Sequence, residues 1–305
     1  MNSQSNAPRR SALYVPAINQ RALNKAYGLD TDVLIFDLED AVAPAMREQA
    51  REYLTTTFTE RRFNLHETVI RVNENGSEDQ HRDLEIVARC QPSAVLLPKV
   101  SHPEDLHQFA ALARAQGVPD DTQLWIMIET ASGLTHLREI VAAGKETTPR
   151  LQCLIVGTND IAKETGVSCN DGRAYLMPWL MNIVLAAKHG GLCVLDGVWN
   201  DFSDMHGFES ETRQSAMMAF NGKTLIHPSQ VEGANRLFSP SASAIEDALR
   251  IVDAYARPEN AVVGAVNLDG KMAERLHLAQ ANHLLAVHQA LEARAAARKA
   301  ARNSM

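Results

Sequence analysis

Eight short apolar runs recur along the chain at intervals of roughly thirty residues. They read SALYVPA, VLIFDLE, TVIRVN, AVLLPKV, LWIMIET, LQCLIVGTND, LCVLDGVWN and KTLIHP. Seven of them close on a residue that can bind a metal, an anion or a proton: Glu39, Arg71, Lys99, Glu129, Asp160, Asp196 and His227. Within VLIF, AVLL and LIV the apolar positions are continuous, as in strands buried on both faces, which points to a parallel sheet. Between the runs, AMREQAREYLTTTF places Ala45, Ala50, Tyr53 and Leu54 near a helical period, and Pro103–Ala115, Gly133–Ala143 and Met177–His189 have helical composition too. The expected fold is an α/β (β/α)8 barrel, in which the C-terminal ends of all strands converge on one mouth. Residues far apart in sequence become neighbours there.

The expected barrel domain spans residues 1–238, with a polar, loose arm over about the first ten residues, and 239–305 form a helical C-terminal extension. In SPSASAIEDALRIVDAYA either Ser241 or Ser243 can cap a helix. VVGAVNLDGKM reads as a short strand and turn at Asp269–Gly270, followed by a long helix-forming stretch with a basic end that suits a solvated helix terminus.

A length of 305 residues suits one barrel with extensions, and a net charge of −7 with a pI near 5.9 gives no basic field for nucleic acid or an anionic membrane. No apolar run approaches the roughly 20 residues that span a bilayer. The four cysteines, Cys90, Cys153, Cys169 and Cys193, lack C-x-x-C spacing and read as reduced core residues. A soluble, cytoplasmic protein is expected.

Glu129 and Asp160 end consecutive strands, so the barrel brings both carboxylates to one rim. Such a pair suits Mg²⁺, which takes one or two protein carboxylates and leaves positions for substrate oxygens; capping of the following helix is the alternative for each. Arg71 follows apolar residues near a dry core and suits bidentate capture of a carboxylate or an enolate-like oxygen, or else an ion pair with Glu39 or Asp40. Asp37, Glu39 and Asp40 crowd the end of the second run and imply cations nearby. Asp269 is either a mobile general base or a turn former. His227 precedes a proline at a strand end and is either a proton carrier or a structural residue. No G-x-G-x-x-G, P-loop or G-x-S-x-G occurs.

LYVPA with Lys25, FDLEDAV, VIRVN, LLPKV, IET, GTNDIAKE, DGVWNDFSD, GKTLIHPSQ and a late DGKM occur in one order. In that order they resemble the citrate lyase beta-subunit-like, HpcH/HpaI-type aldolases, and within them the malyl-CoA lyase and malyl-CoA thioesterase branch. The resemblance implies a barrel of the phosphoenolpyruvate/pyruvate type, homotrimeric or hexameric, using Mg²⁺, or Mn²⁺ in its place, and a coenzyme A thioester. Carried over by motif, Glu129 and Asp160 are the metal ligands, Arg71 binds substrate oxygen, and Tyr14 and Lys25 belong to the coenzyme A pocket. Asn159 stands beside the metal and His227 on the substrate side. Glu39 joins the catalytic groups, and Asp269 is the catalytic acid delivered from the C-terminal segment, often to a neighbouring subunit. Ala17 and Arg47 depart from the family's usual glycine and lysine.

The implied reaction is reversible Claisen-type cleavage of a malyl-CoA-like 3-hydroxyacyl-CoA to acetyl-CoA, or propionyl-CoA, and glyoxylate. Hydrolysis of the same thioester to malate and coenzyme A is the alternative. A non-catalytic subunit of a larger lyase complex is a second.

Overall fold

The structure, a computed structural model, describes residues 8–303 except 62 and 261. Each apolar run forms a strand: β1 (Ser11–Pro16), β2 (Val33–Asp37), β3 (Glu67–Arg71), β4 (Ala94–Leu97), β5 (Gln123–Ile128), β6 (Leu151–Val156), β7 (Cys193–Asp196) and β8 (Gly222–Leu225). All pair in parallel in sequence order, and β8 pairs with β1 to close an eight-stranded barrel. The reason for the continuous apolar runs is visible at β2. Val33 and Ile35 pack inside the barrel with Val69, Leu96, Trp125 and Met127. Phe36, one residue out of phase, instead meets Phe58 of the helix Arg47–Glu60 edge-on at 5.3 Å. Side chains on successive residues point to opposite faces, so a strand with apolar material on both sides shows no alternation.

Helices Arg47–Glu60, Pro103–Ala115 and Met177–Gly190 return outside the barrel. The stretch expected as one helix from Gly133 is two, Ala131–Thr135 and Leu137–Ala143, with His136 as the break. Arg9 and Arg10, expected in the loose arm, are fastened instead. Arg9 makes a two-pronged bond to Glu67 at 2.7 and 2.6 Å and lies over Trp125 at 4.6 Å, while Arg10 pairs with Asp32 at 2.8 Å. The remainder of the arm, to residue 7, is outside the described residues.

Arg9–Leu237 form one compact unit and the chain from Phe238 belongs to another. In the second, Ser241 is the residue that caps the helix Ala242–Ala256, accepting from Ala244 N–H. A hairpin of β9 (Ala265–Leu268) and β10 (Lys271–Glu274) and the helix Arg275–Asn303 complete it. Its small core gathers Ala254, Tyr255, Val266 and Ala273, and Tyr255 donates to Ala273 O at 2.8 Å. No helix among the described residues is long and apolar enough to cross a membrane.

Candidate active site

The C-terminal mouth of the barrel opens on a cavity of about 330 Å³ whose lining includes Tyr14, Asp37, Asp40, Arg71, Met127, Asn159, Asp160 and Asn200. The strand phase explains the set. Register pairs Asp37 with Arg71 on β2 and β3, so the two side chains are neighbours by construction. Arg71 Nε and Nη2 donate to Asp37 Oδ1 and Oδ2 at 2.7 and 2.6 Å, a bidentate clamp. Asp37 is held in turn by the backbone N–H groups of Glu39 and Ala41. Nη1 of Arg71 lies 2.9 Å from Glu39 and 3.4 Å from Asp40. The Tyr14 ring supports the guanidinium at 4.9 Å, and its hydroxyl reaches Met127 Sδ at 3.7 Å. Burial pushes the Tyr14 phenol up, against the pull of Arg71, so it stays neutral.

Glu39 is buried at 4 % exposure and does not line the cavity. Its oxygens accept no well-aligned hydrogen bond, yet Arg71 and Lys99 Nζ approach at 2.9 and 3.0 Å, so the contacts are ion pairs. Burial raises its carboxyl and Arg71 opposes this. Its place is behind Arg71, orienting it.

Glu129, 1 % exposed, follows β5 and accepts the Lys99 backbone N–H on Oε1 at 2.7 Å. Lys99 takes a left-handed backbone, φ 55°, to aim that N–H. Beneath Glu129 lies Gly157, where a Cβ would come 2.3 Å from Glu129 Oε2, so only glycine leaves room for the carboxylate. Burial pushes the Glu129 carboxyl up to about 8, and the neighbouring Glu39 and Asp160 charges add to the rise despite the Lys99 bond. Asp160, half-buried in the first turn of the helix Thr158–Thr165, lines the cavity wall. A buried carboxylate beside a second one is a seat that a cation relieves. Among the described residues no group of three or more His, Cys, Asp or Glu converges on one point. Two carboxylates with open positions fit Mg²⁺, which retains waters and binds substrate oxygens, better than a closed protein cage.

Asn159 and Asn200 join their side-chain amides reciprocally at 3.2 and 2.8 Å across the rim between β6 and β7. Asn200, Met127 and Gly157 escaped the sequence reading. Met127 could have been found by stepping two residues back from Glu129 along the strand.

Other expected groups stand elsewhere. Asp196 faces out of the mouth: Leu195 fills the barrel, so the next side chain points to the opposite side. There it is fully buried between Lys223 at 2.8 Å, Arg173 at 2.9 Å and Ser215. Lys25 is exposed on the helix Gln20–Ala26. His227 is exposed, bonded to Ser229 Oγ at 2.8 Å and stacked on Phe202, whereas its neighbour Ile226 lines the cavity. Arg47 pairs with Asp79 at 2.5 Å. Asp269 belongs to the C-terminal unit. With φ 53° at Asp269 and 84° at Gly270 it forms the two-residue turn of the β9–β10 hairpin, its exposed carboxylate 3.0 Å from Arg250. Cys169, expected in the core, is exposed, at the position just before the short helix Asn170–Arg173.

The sequence profile of the HpcH/HpaI aldolase/citrate lyase family matches residues 10–228, and the chain belongs to that family, one of carbon–carbon lyases. It is 43% identical over 286 residues to a (3S)-malyl-CoA thioesterase of Cereibacter sphaeroides, covering 94% of this chain and 96% of the relative. It is 30% identical to the mitochondrial citramalyl-CoA lyase of Homo sapiens, over 90% of this chain and 84% of that one. Among solved structures, CitE of Mycobacterium tuberculosis in complex with magnesium, acetoacetate and coenzyme A matches with a TM-score of 0.74 at 29% identity, covering 92% and 98% of the two chains.

Proposed function

We propose that the chain is a Mg²⁺-dependent lyase that reversibly cleaves a malyl-CoA-like 3-hydroxyacyl-CoA to acetyl-CoA, or propionyl-CoA, and glyoxylate. The observation that carries this reading is the carboxylate pair Glu129 and Asp160 at the same mouth as the clamped Arg71. A cavity of about 330 Å³ suits the small acid end of such a substrate, with the coenzyme A arm extending outside. Glu129 and Asp160 would hold the magnesium, which would supply Lewis-acid stabilisation at the 2-hydroxy or 2-oxo acid end.

The chain's own residues supply the rest. Asp40, exposed and 3.4 Å from Arg71, is a lining carboxylate placed to take the hydroxyl proton. As the C–C bond breaks, its electron pair moves into the thioester, and the guanidinium of Arg71, preorganised by Asp37 and Glu39, stabilises the enolate oxygen. Asp269 then protonates the enolate carbon to give acetyl-CoA. Its exposed turn suits delivery to a site in a homotrimer or hexamer. Losing a positioned acid costs about 10²–10⁴-fold in rate, so Asp269→Asn keeps metal and thioester binding while losing most turnover.

Hydrolysis to malate and coenzyme A is the second reading, favoured by the 43% identity to the thioesterase of Cereibacter sphaeroides. Incubation with malyl-CoA and Mg²⁺, following glyoxylate as its phenylhydrazone and free thiol with a disulfide reagent, separates the two. Glyoxylate without thiol supports the lyase. Thiol without glyoxylate establishes the hydrolase in its place.

A further inference from the structure

Two cysteines face each other inside the barrel and take no part in the chemistry at its mouth. Cys153 on β6 and Cys193 on β7 are register partners on adjacent parallel strands, and both pack with the side chains that fill the barrel. Cys193 opens β7 and Cys153 is the third residue of β6, so the pair lies toward the floor, at the end of the strands away from Asp160. There Arg9 lies over Trp125. Register partners on neighbouring strands stand about 4.8 Å apart, inside the range of about 4.4–6.8 Å between the Cα atoms of a disulfide.

The two sulfurs are unlike. Cys153 is buried, its Sγ 3.6 Å from Leu154 O, and burial together with its partner pushes this thiol up. Cys193 is half-buried, and the neighbouring Cys153 thiol, with the Arg9 charge nearby, pulls its thiol down against the effect of burial. Two thiols at register-paired positions, with the Arg9 cation beside them, are the arrangement in which an oxidised thiol is resolved by its neighbour.

We propose that Cys153 and Cys193 are a dithiol that a hydroperoxide closes to a disulfide across the barrel floor. The Cys193 thiolate attacks one oxygen of hydrogen peroxide, the O–O bond breaks, and hydroxide leaves a sulfenic acid on Cys193. The Cys153 sulfur then attacks the Cys193 sulfur, the S–S bond forms, and the sulfenic oxygen departs as water with the Cys153 proton. Two electrons pass from the thiol pair to the peroxide. The bond ties together the two strands whose upper ends lead to Asp160 and to the Asn159–Asn200 pair, so the tie reaches the rim through β6 and β7.

The test is peptide mapping of the native, full-length protein after a graded exposure to hydrogen peroxide, followed by denaturation and alkylation. Titratable thiols fall from four to two. The peptides of Cys153 and Cys193 appear linked, two hydrogens lighter than the separate peptides, and dithiothreitol restores them. Cys193→Ser keeps basal turnover and abolishes the linked species, while the wild-type map stands whether or not that variant folds. The proposal is overturned if both cysteines stay alkylatable while the exposed Cys169 oxidises. It is equally overturned if Cys193 proceeds to sulfinic acid with Cys153 still free.

Discussion

Lys99 donates its backbone N–H to Glu129 Oε1 at 2.7 Å from a left-handed backbone that a lysine adopts only under constraint. The proposed metal seat is thereby built from main chain as well as side chain. Glycine takes this conformation freely, so Lys99→Gly retains the bond and the metal affinity while releasing Glu39 from Lys99 Nζ. Lys99→Pro has no N–H, and weakens metal binding by about 10–100-fold, the usual range for partners of a ligating group. Calorimetric titration of both variants with Mg²⁺ decides the matter.

Gly157→Ala places a Cβ 2.3 Å from Glu129 Oε2. It also comes 2.5 Å from Glu129 Cβ, so the side chain and the backbone at the end of β5 must both shift, and divalent-cation affinity is expected to drop by about 10–100-fold. Equal affinity in wild type and variant would show that Glu129 reaches its ligating position without this gap.

Asp37→Asn breaks the two-pronged clamp on Arg71 while leaving the carboxylate pair intact. If Arg71 stabilises the enolate oxygen, kcat/KM falls by about 10²-fold and metal binding is preserved. A matched loss of both would mean that Asp37 serves the metal seat and not the arginine.

Beneath the rim, burial alone would raise the Asp196 carboxyl, but Lys223 and Arg173 hold it down at about 2. Because the folded value lies below the ordinary carboxylate value, this contribution to stability is complete above pH about 4 and is lost as pH falls toward 2. Lys223→Met leaves that charge short of a partner and costs about 3–5 kcal/mol near neutrality. Its stability also changes less between pH about 4 and 2 than that of the wild type. Urea denaturation at a series of pH values measures both effects.

The barrel was legible because its strands are buried on both faces and separated by helical spacing, and Arg71, Glu129 and Asp160 stood out by interrupting apolar runs. The Asp37–Arg71 clamp was not, since it depends on the register of two strands rather than on either sequence. Asp196 was misplaced by one residue of strand phase, which turns a rim position into an outer one. The helix Glu78–Cys90 went unread because its inner face mixes Gln80 and Asp83, the latter bonded to Arg51 at 2.8 Å, with Leu84, Ile86 and Val87, and the two polar positions interrupt the apolar period. The reading of Asp269 as a turn former matches its place in the hairpin, while its chemical role rests on the delivery proposed above.

Glu129 and Asp160 are proposed to seat one divalent cation next to Arg71. Titration of Mn²⁺ into the wild type, Glu129→Gln and Asp160→Asn, followed by electron paramagnetic resonance with and without glyoxylate, tests it most directly. One site in the wild type, tightened by glyoxylate, and its loss in both variants are the expected result. Undiminished Mn²⁺ binding in either variant would contradict it.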